Sequence, residues 1–368
     1  MIGPLLALMF PRATARDRPA LAKGRAGAYA KDRSFAPVEF AVSVRSTLCL
    51  ALLLLPASFP VLAGPAAGPA CYSPAALAAK PGEEIVRPRA GGPVTLPDMA
   101  TPTLPPVPAA LRGSIRRVEL PPGEKLVALT FDLCEASAEI SGYDGALVDY
   151  LRAENVAATF FAGGKWLMSH TERGDQLTAD PQFEMGNHTW SHANLTVRTG
   201  DAMRRQVDDA DVALALRRTE VKAKGCMLPS APAQATGGAE LFRFPYGSCS
   251  AESLNYVNDT GHLAIQWDVD SGDPAFIGAK GMADDMLRSI RPGSIVLMHA
   301  NGRGKHTAEA LRILIPALRA KGYRFATVSQ LLAAGRPVIA DTCYSLKPGD
   351  TRVYDDAART GKRILPVQ

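Results

Sequence analysis

The stretch LVALTFDLCE, residues 126–135, runs through the apolar Leu126–Phe131, broken only by Thr130, into the carboxylate of Asp132. Six residues rich in Val, Thr and Phe are too few for a helix and read as a buried strand that delivers a charged group at its C-terminal end. Working outward, the same texture repeats. Residues 144–152 read as a helix with Leu147, Tyr150 and Leu151 on one side, and residues 156–161 as a second strand. Met203, Val207, Ala210 and Leu214 recur at helical spacing over residues 201–218. Residues 241–244 form a short strand stopped by Pro245, and Ser250 is placed to cap a helix that stops at Gly261. Residues 263–267 and 295–298 read as further strands. Leu311, Leu314, Ile315 and Leu318 mark a helix ended by Gly322, and residues 325–328 read as a last strand. No internal repeat interrupts this order. Strands alternating with helices predict a barrel-like α/β domain whose reactive groups sit at the C-terminal ends of its strands.

Polar residues stand at those ends. Asp132 follows the first strand, Arg243 interrupts a hydrophobic one, Asp268 and Asp270 follow Trp267, and His299 follows Ile295–Met298. One such residue is ordinarily a cap. Several together are costly to bury unless they pair or bind a metal. In HTWSHANL, residues 188–195, His188 and His192 stand four apart. On a helical turn they would share a face and suit one divalent ion, with zinc, iron, cobalt and nickel all open to imidazole ligands.

Five segments in this order resemble the polysaccharide deacetylases that share the NodB homology domain, over about residues 116–332. They are TFDLCE (130–135), HTWSHANL, RFPYG (243–247), WDVDSGD (267–273) and IVLMH (295–299), with Thr307 downstream. The resemblance implies a distorted (β/α) barrel and a metal-dependent hydrolase that removes N-acetyl groups from amino-sugar units, releasing acetate. It also implies roles: His188 and His192 as metal ligands, Asp132 as general base, His299 as general acid, Arg243 holding Asp132, Asp273 orienting or charging His299, and a backbone N–H near Tyr246 for the oxyanion. The implied cofactor is a divalent ion, with zinc favoured over cobalt, nickel or iron, and the implied partner is an N-acetylated polysaccharide or oligosaccharide.

The chain departs from that pattern at two places. The family's second Asp, a metal ligand, is Leu133 here, and leucine has no lone pair to offer. Glu135, on the same side of an extended chain as Leu133, is the expected replacement; the Cys134 thiolate and water are alternatives. Pro274 stands where the family often has Trp. Two competing functions stay open: hydrolysis of a non-sugar amide on the same fold, and metal-free, noncatalytic binding of cell wall.

Charge sets the boundaries. Of 41 Lys and Arg and 36 Asp and Glu, eight bases and three acids lie in residues 1–63, which leaves the remainder neutral and without a nucleic-acid footprint. Arg45, a short apolar run and the exit Val61-Leu62-Ala63 read as a secretory signal, too short for a comfortable membrane span. The 40 residues ahead of it imply an internal start or a long leader. The expected organisation is a leader over 1–63, a Pro/Ala-rich linker or loose arm over 64–112, the catalytic domain over 113–336 and an extension over 337–368. Six cysteines fit an exported, envelope-associated protein. Cys71 with Cys343 would tie the domain's ends, and Cys226 with Cys249 would staple a Pro/Gly/Ala-rich excursion over 218–240. Sequence does not fix the connectivity.

Overall fold

Strand β3 (Leu126–Leu133) is the spine of the molecule, and seven of its eight residues are buried. The computed structural model describes residues 71–361 other than 91, 227–235 and 276. The expected secretory signal and the middle of the 218–240 excursion therefore lie outside the described residues. Ahead of β3 come β1 (Arg87–Pro88) and β2 (Ser114–Glu119). After it follow β4 (Glu139–Ile140), β5 (Ala158–Ala162), β6 (Phe183–Asn187), β7 (Glu240–Phe242), β8 (His262–Ile265), β9 (Val269–Asp270), β10 (Ile295–His299), β11 (Arg324–Phe325) and β12 (Arg336–Ala340). Ten of these form one sheet in the order β12-β2-β8-β7-β6-β5-β3-β10-β9, with β11 also beside β3. Its strand pairs are parallel except β12 with β2.

Residues 262–270 close this sheet on itself. Their first half pairs with β7 and β2, their second half with β10, and between them Gln266 N donates to Ile115 O (2.8 Å) and Asp268 N to Ile295 O (3.2 Å). The result is a distorted (β/α) barrel. Gly293, with φ +84°, lies at the closure; a Cβ there would stand 1.7 Å from Val118 O, so only glycine lets the turn before β10 approach β2.

Alternation along each strand sorts side chains into two layers. Val127, Leu129, Phe131 and Leu133 pack outward with Leu147, Leu151, Leu311 and Leu314 of the surrounding helices. Ala128, Phe161, Leu241, Ile265, Ile295 and Leu297 fill the interior. This parity decides which residues reach the barrel mouth.

Most elements fall where the sequence puts them, with ends shifted by a few residues. The helix expected over 201–218 extends to Gly200–Ala223. Ser250 caps Ala251–Asp259 through a capping box with Ser253. The strand expected over 325–328 is a correction: it stops at Phe325, because Thr327 and Gln330 form a capping box that starts the helix Val328–Ala333.

Both flanks of the expected catalytic domain belong to the same body. The described residues from 71 to 361 cluster as one compact unit, to which the segments on either side of residues 113–336 both contribute. The N-terminal arm pairs β1 with β4, and Arg173 donates to the carbonyls of Ala76, Leu77 and Ala78. The C-terminal segment adds β12 and the helix Arg352–Thr360. The cysteine pairing differs from expectation accordingly. Cys71 is bonded to Cys226 and Cys249 to Cys343, with Cα separations of 5.5 and 5.4 Å. The arm runs beside the helix Thr171–Ala179 toward the end of Gly200–Ala223, where Cys226 follows, whereas β12 returns along β2 and carries Cys343 to the loop holding Cys249.

Candidate active site

Asp132 and His299 are register partners at the C-terminal ends of β3 and β10. Arg243 follows β7 directly and is fully buried. Its Nη1 donates to Asp132 Oδ1 at 3.0 Å and its Nε to Ile265 O at 3.1 Å, while the guanidinium lies 4.1 Å from the Phe161 ring centre. A buried carboxylate so held is fixed in place and keeps its charge partner.

Asp273 follows β9 and reaches His299. Its Oδ1 is 2.8 Å from His299 Nδ1, and its Oδ2 accepts from His299 N at 2.7 Å and Thr307 Oγ1 at 2.8 Å. Burial would hold this imidazole neutral, yet the carboxylate of Asp273, with Asp132 and Asp270 behind it, raises it to about 9. His299 is therefore cationic at neutral pH. The other two strand-end acids do turn work. Asp268 accepts from Ile295 N (3.0 Å), Ser294 Oγ (3.1 Å) and Arg291 Nε (3.2 Å), and Asp270 from Gly272 N (2.9 Å) and Ser345 Oγ (3.3 Å).

The two histidines meet, but not on a helix. Residues 188–195 form an irregular loop after β6, in which Thr189 (φ 65°) and His192 (φ 55°) adopt the left-handed region. Asn187 starts the loop, accepting from Thr189 N at 2.8 Å, and Gln206 holds it, its backbone O accepting from Trp190 N (2.7 Å) and its Oε1 from Ser191 N (3.0 Å). Backbone reversals, rather than a helical repeat, bring the rings to 5.1 Å between centres. Burial pushes both imidazoles below their ordinary range, so both are neutral with a free lone pair.

His188 carries the most informative contact. Its Nδ1 faces Arg243 O at 2.9 Å, which assigns the proton to that nitrogen and leaves the Nε2 lone pair inward. That Nε2 is buried without a hydrogen-bond partner, although Asp132 Oδ2 lies 3.3 Å away. Distance alone suggests an ion pair there. The tautomer says otherwise: a lone pair facing a carboxylate oxygen is repulsive unless a cation lies near both. Cys134 completes the surroundings. Its Sγ and one nitrogen from each of His188 and His192 lie within 4.8 Å of one another, a group of His, Cys, Asp and Glu side chains with no second example among the described residues. The donor types and the orphaned lone pair fit a divalent transition metal. Asn301 donates to Cys134 O at 2.7 Å and Sγ at 2.9 Å, and burial together with Asp132 pushes the thiol up to about 12.

Glu135 is a correction. Its carboxylate points away from this group, with Oε1 bound by Arg89 and by Ser169 Oγ (2.8 Å) and Oε2 by Ser141 N (3.2 Å). Strand parity is the reason. Leu133 packs in the outer layer, and Glu135, two residues on, leaves on that side too, while Asp132 and Cys134 face inward.

Tyr246 (φ 61°) lies over the site with its ring 4.5 Å from that of His192. Tyr354, from the C-terminal helix, stacks on it at 5.3 Å. Asp355 anchors that helix through Ser248 Oγ and Asn194 Nδ2, both at 2.8 Å. Sequence reasoning missed Tyr354 and Asn301. Asn301 was within reach, standing two residues after His299 on the same side of the chain. Tyr354 carries no sequence signal.

Known proteins resemble this chain in sequence and fold. The polysaccharide deacetylase family model matches residues 119–265, which takes in the segments around Asp132, His188 and Arg243. A chitooligosaccharide deacetylase of Azorhizobium caulinodans is 30% identical over 190 residues, covering 48% of this chain and 82% of that protein. A peptidoglycan-N-acetylglucosamine deacetylase of Bacillus cereus is 27% identical over 215 residues, covering 57% of this chain and 69% of that one. Among solved structures, a peptidoglycan N-acetylglucosamine deacetylase is similar with a TM-score of 0.50 and 25% identity, over 61% of this chain and 94% of that one. With its strand-end acid, paired imidazoles and charged histidine set in the order of the family's segments, this chain belongs to the polysaccharide deacetylase family.

Proposed function

We propose that this chain is a metal-dependent hydrolase that removes N-acetyl groups from amino-sugar units of a polysaccharide or oligosaccharide, releasing acetate. Two of its relatives bear names that specify chitooligosaccharide and peptidoglycan N-acetylglucosamine, and both are polymers of N-acetylated sugars. The observation that carries the reading is the buried, unpartnered Nε2 of His188 facing Asp132 Oδ2 at 3.3 Å, beside His192.

A divalent ion on His188 and His192 would supply positive charge that acidifies a water and polarises the amide carbonyl. The protein's own groups do the proton work. Asp132, aligned by Arg243, accepts the proton of the attacking water, because a carboxylate fixed at one geometry needs no reorganisation. A C–O bond then forms as the carbonyl rehybridises, and the backbone N–H near Tyr246 stabilises the oxyanion. His299, held cationic by Asp273, donates its proton to the sugar nitrogen. The C–N bond breaks with a neutral amine as leaving group, instead of an amide anion of far higher basicity. The products are acetate and a free amino sugar.

The stacked rings of Tyr246 and Tyr354 offer an apolar wall beside the site, suited to a sugar face. Two disulfides support an exported, envelope-associated protein, since such bonds persist in oxidising compartments. No helix among the described residues is long and apolar enough to cross a membrane.

The test is acetate release from N-acetylglucosamine oligomers by protein loaded with zinc or cobalt, with simple acetamides and acetate esters as controls. Release from the oligomers, dependent on the ion, is the expected result. Turnover of simple amides alone would replace the sugar reading, and no turnover with the ion bound would end the catalytic one.

A further inference from the structure

We propose that Cys134 is the third protein ligand of the divalent ion, its thiolate joining the imidazoles of His188 and His192 in a nitrogen–nitrogen–sulfur donor set. The inference deepens the reading above and rests on an ion being held by the two histidines.

Four observations converge on the sulfur. Cys134 Sγ, one nitrogen of His188 and one of His192 lie mutually within 4.8 Å. The His188 Nε2 lone pair in that cluster is buried and unpartnered, so the group is open toward a ligand rather than internally satisfied. Of the neighbouring carboxylates, Asp132 holds Arg243 through Oδ1 and leaves Oδ2 beside the His188 nitrogen for its role as base, and both oxygens of Glu135 are occupied on the outer side of the strand. Finally, among the described cysteines Cys134 is the free one, while Cys71, Cys226, Cys249 and Cys343 are all disulfide-bonded.

The chemistry is self-consistent. Coordination deprotonates a thiol: as the metal–sulfur bond forms, the thiol proton passes to solvent, and the ligand then carries the single negative charge that a carboxylate would have brought. Asn301 Nδ2 donates to Sγ at 2.9 Å and to the Cys134 carbonyl at 2.7 Å. That amide fixes the sulfur and stabilises the charge it acquires, as the partners of metal ligands generally do. Asn301 is thus a positioning residue. A thiolate is a softer donor than a carboxylate, so the site selects zinc or cobalt over magnesium, calcium or manganese.

The experiment strips the full chain of metal, reloads it with Co(II), and records bound cobalt and the near-ultraviolet spectrum. Wild type is expected to bind one ion per chain and to show an intense sulfur-to-cobalt charge-transfer band. C134D is expected to bind cobalt without that band. C134A, checked for folding by circular dichroism, is expected to bind at least about 100-fold more weakly. N301A is expected to shift the band and weaken binding by about tenfold while keeping stoichiometry. Stoichiometric cobalt without the band, or wild-type affinity in C134A, overturns the cysteine ligand and leaves the histidine-based reading standing. Folded wild type that binds no ion removes both.

Discussion

Two buried polar groups lie on opposite faces of the end of β3, and they differ in whether their acceptor atoms are bound. On the outer face, the Glu135 carboxylate has both oxygens bound, by Arg89, Ser169 and the Ser141 backbone, with the His170 imidazole 4.0 Å away. On the inner face, Asp132, His188, His192 and Cys134 leave a buried nitrogen lone pair with no donor. Both contain carboxylate and imidazole, and both adjoin an arginine. Composition does not separate them. The acceptors do: both Glu135 oxygens are bound and that carboxylate is a fastening, although Arg89 Nε beside it lacks a partner, while the His188 lone pair held toward a carboxylate oxygen is kept for a ligand.

The outer group also explains the arm. Arg89 comes from the segment after β1, so a residue read from sequence as part of a linker neutralises a carboxylate beneath the site. Burial raises the Glu135 carboxyl above its usual range, with Ser169 and Arg89 opposing. The arm is therefore part of what keeps β3 in place.

Substitutions should separate the two faces. The largest effect is expected from D132N, which removes the proton acceptor: turnover should fall by about 1000-fold or more while metal content stays near wild type. Metal analysis alongside acetate release measures both, and normal turnover would strip Asp132 of its role. Next is E135Q, which breaks a buried charge pair. Urea unfolding should show a loss of about 3 kcal/mol, with bound metal unchanged. Unaltered stability together with lost metal would reverse the assignment of the two faces.

A smaller cost, about 2–3 kcal/mol, is expected from C343S, which opens the Cys249–Cys343 bridge spanning 94 residues. Its loss should also raise KM for oligomers, since the segment bearing Tyr354 is released. A KM identical to wild type would place Tyr354 outside the substrate path. The smallest effect belongs to D273N and grows with pH. In the proposed mechanism His299 acts when protonated, and its raised pKa of about 9 keeps it so through neutrality. Without the Asp273 charge burial pulls its pKa down, so activity relative to wild type should drop by about tenfold or more near pH 8 and progressively less as the pH is lowered. A pH profile of kcat/KM tests this, and an alkaline limb that does not move would release His299 from Asp273.

Much of the site is legible in the chain because strand-end chemistry is local. A short apolar run closed by Asp132, another by His299, and Arg243 within a third all announce themselves within six residues. The imidazole pair is visible too, although its helical turn is not what forms: Asn187 and Gln206 capture the backbone of the loop instead. The ligand at residues 133–135 shows how a resemblance can outweigh a simpler signal. Period-two alternation in LVALTFDLCE already places Cys134 with Asp132, while the family's ligand position points to the side of Leu133 and Glu135.

The sequence by itself determined the barrel-like alternation, the order of its polar strand ends and the positions of Asp132, His299 and the paired imidazoles, since these depend on periodicity and spacing over short stretches. Tertiary structure alone decided the disulfide pairing, the place of Glu135 beside Arg89, the His188 tautomer set by Arg243 O, and the charge that Asp273 confers on His299. The reason is that each of those depends on atoms far apart along the chain, and no local pattern records which distant group will arrive within hydrogen-bonding range.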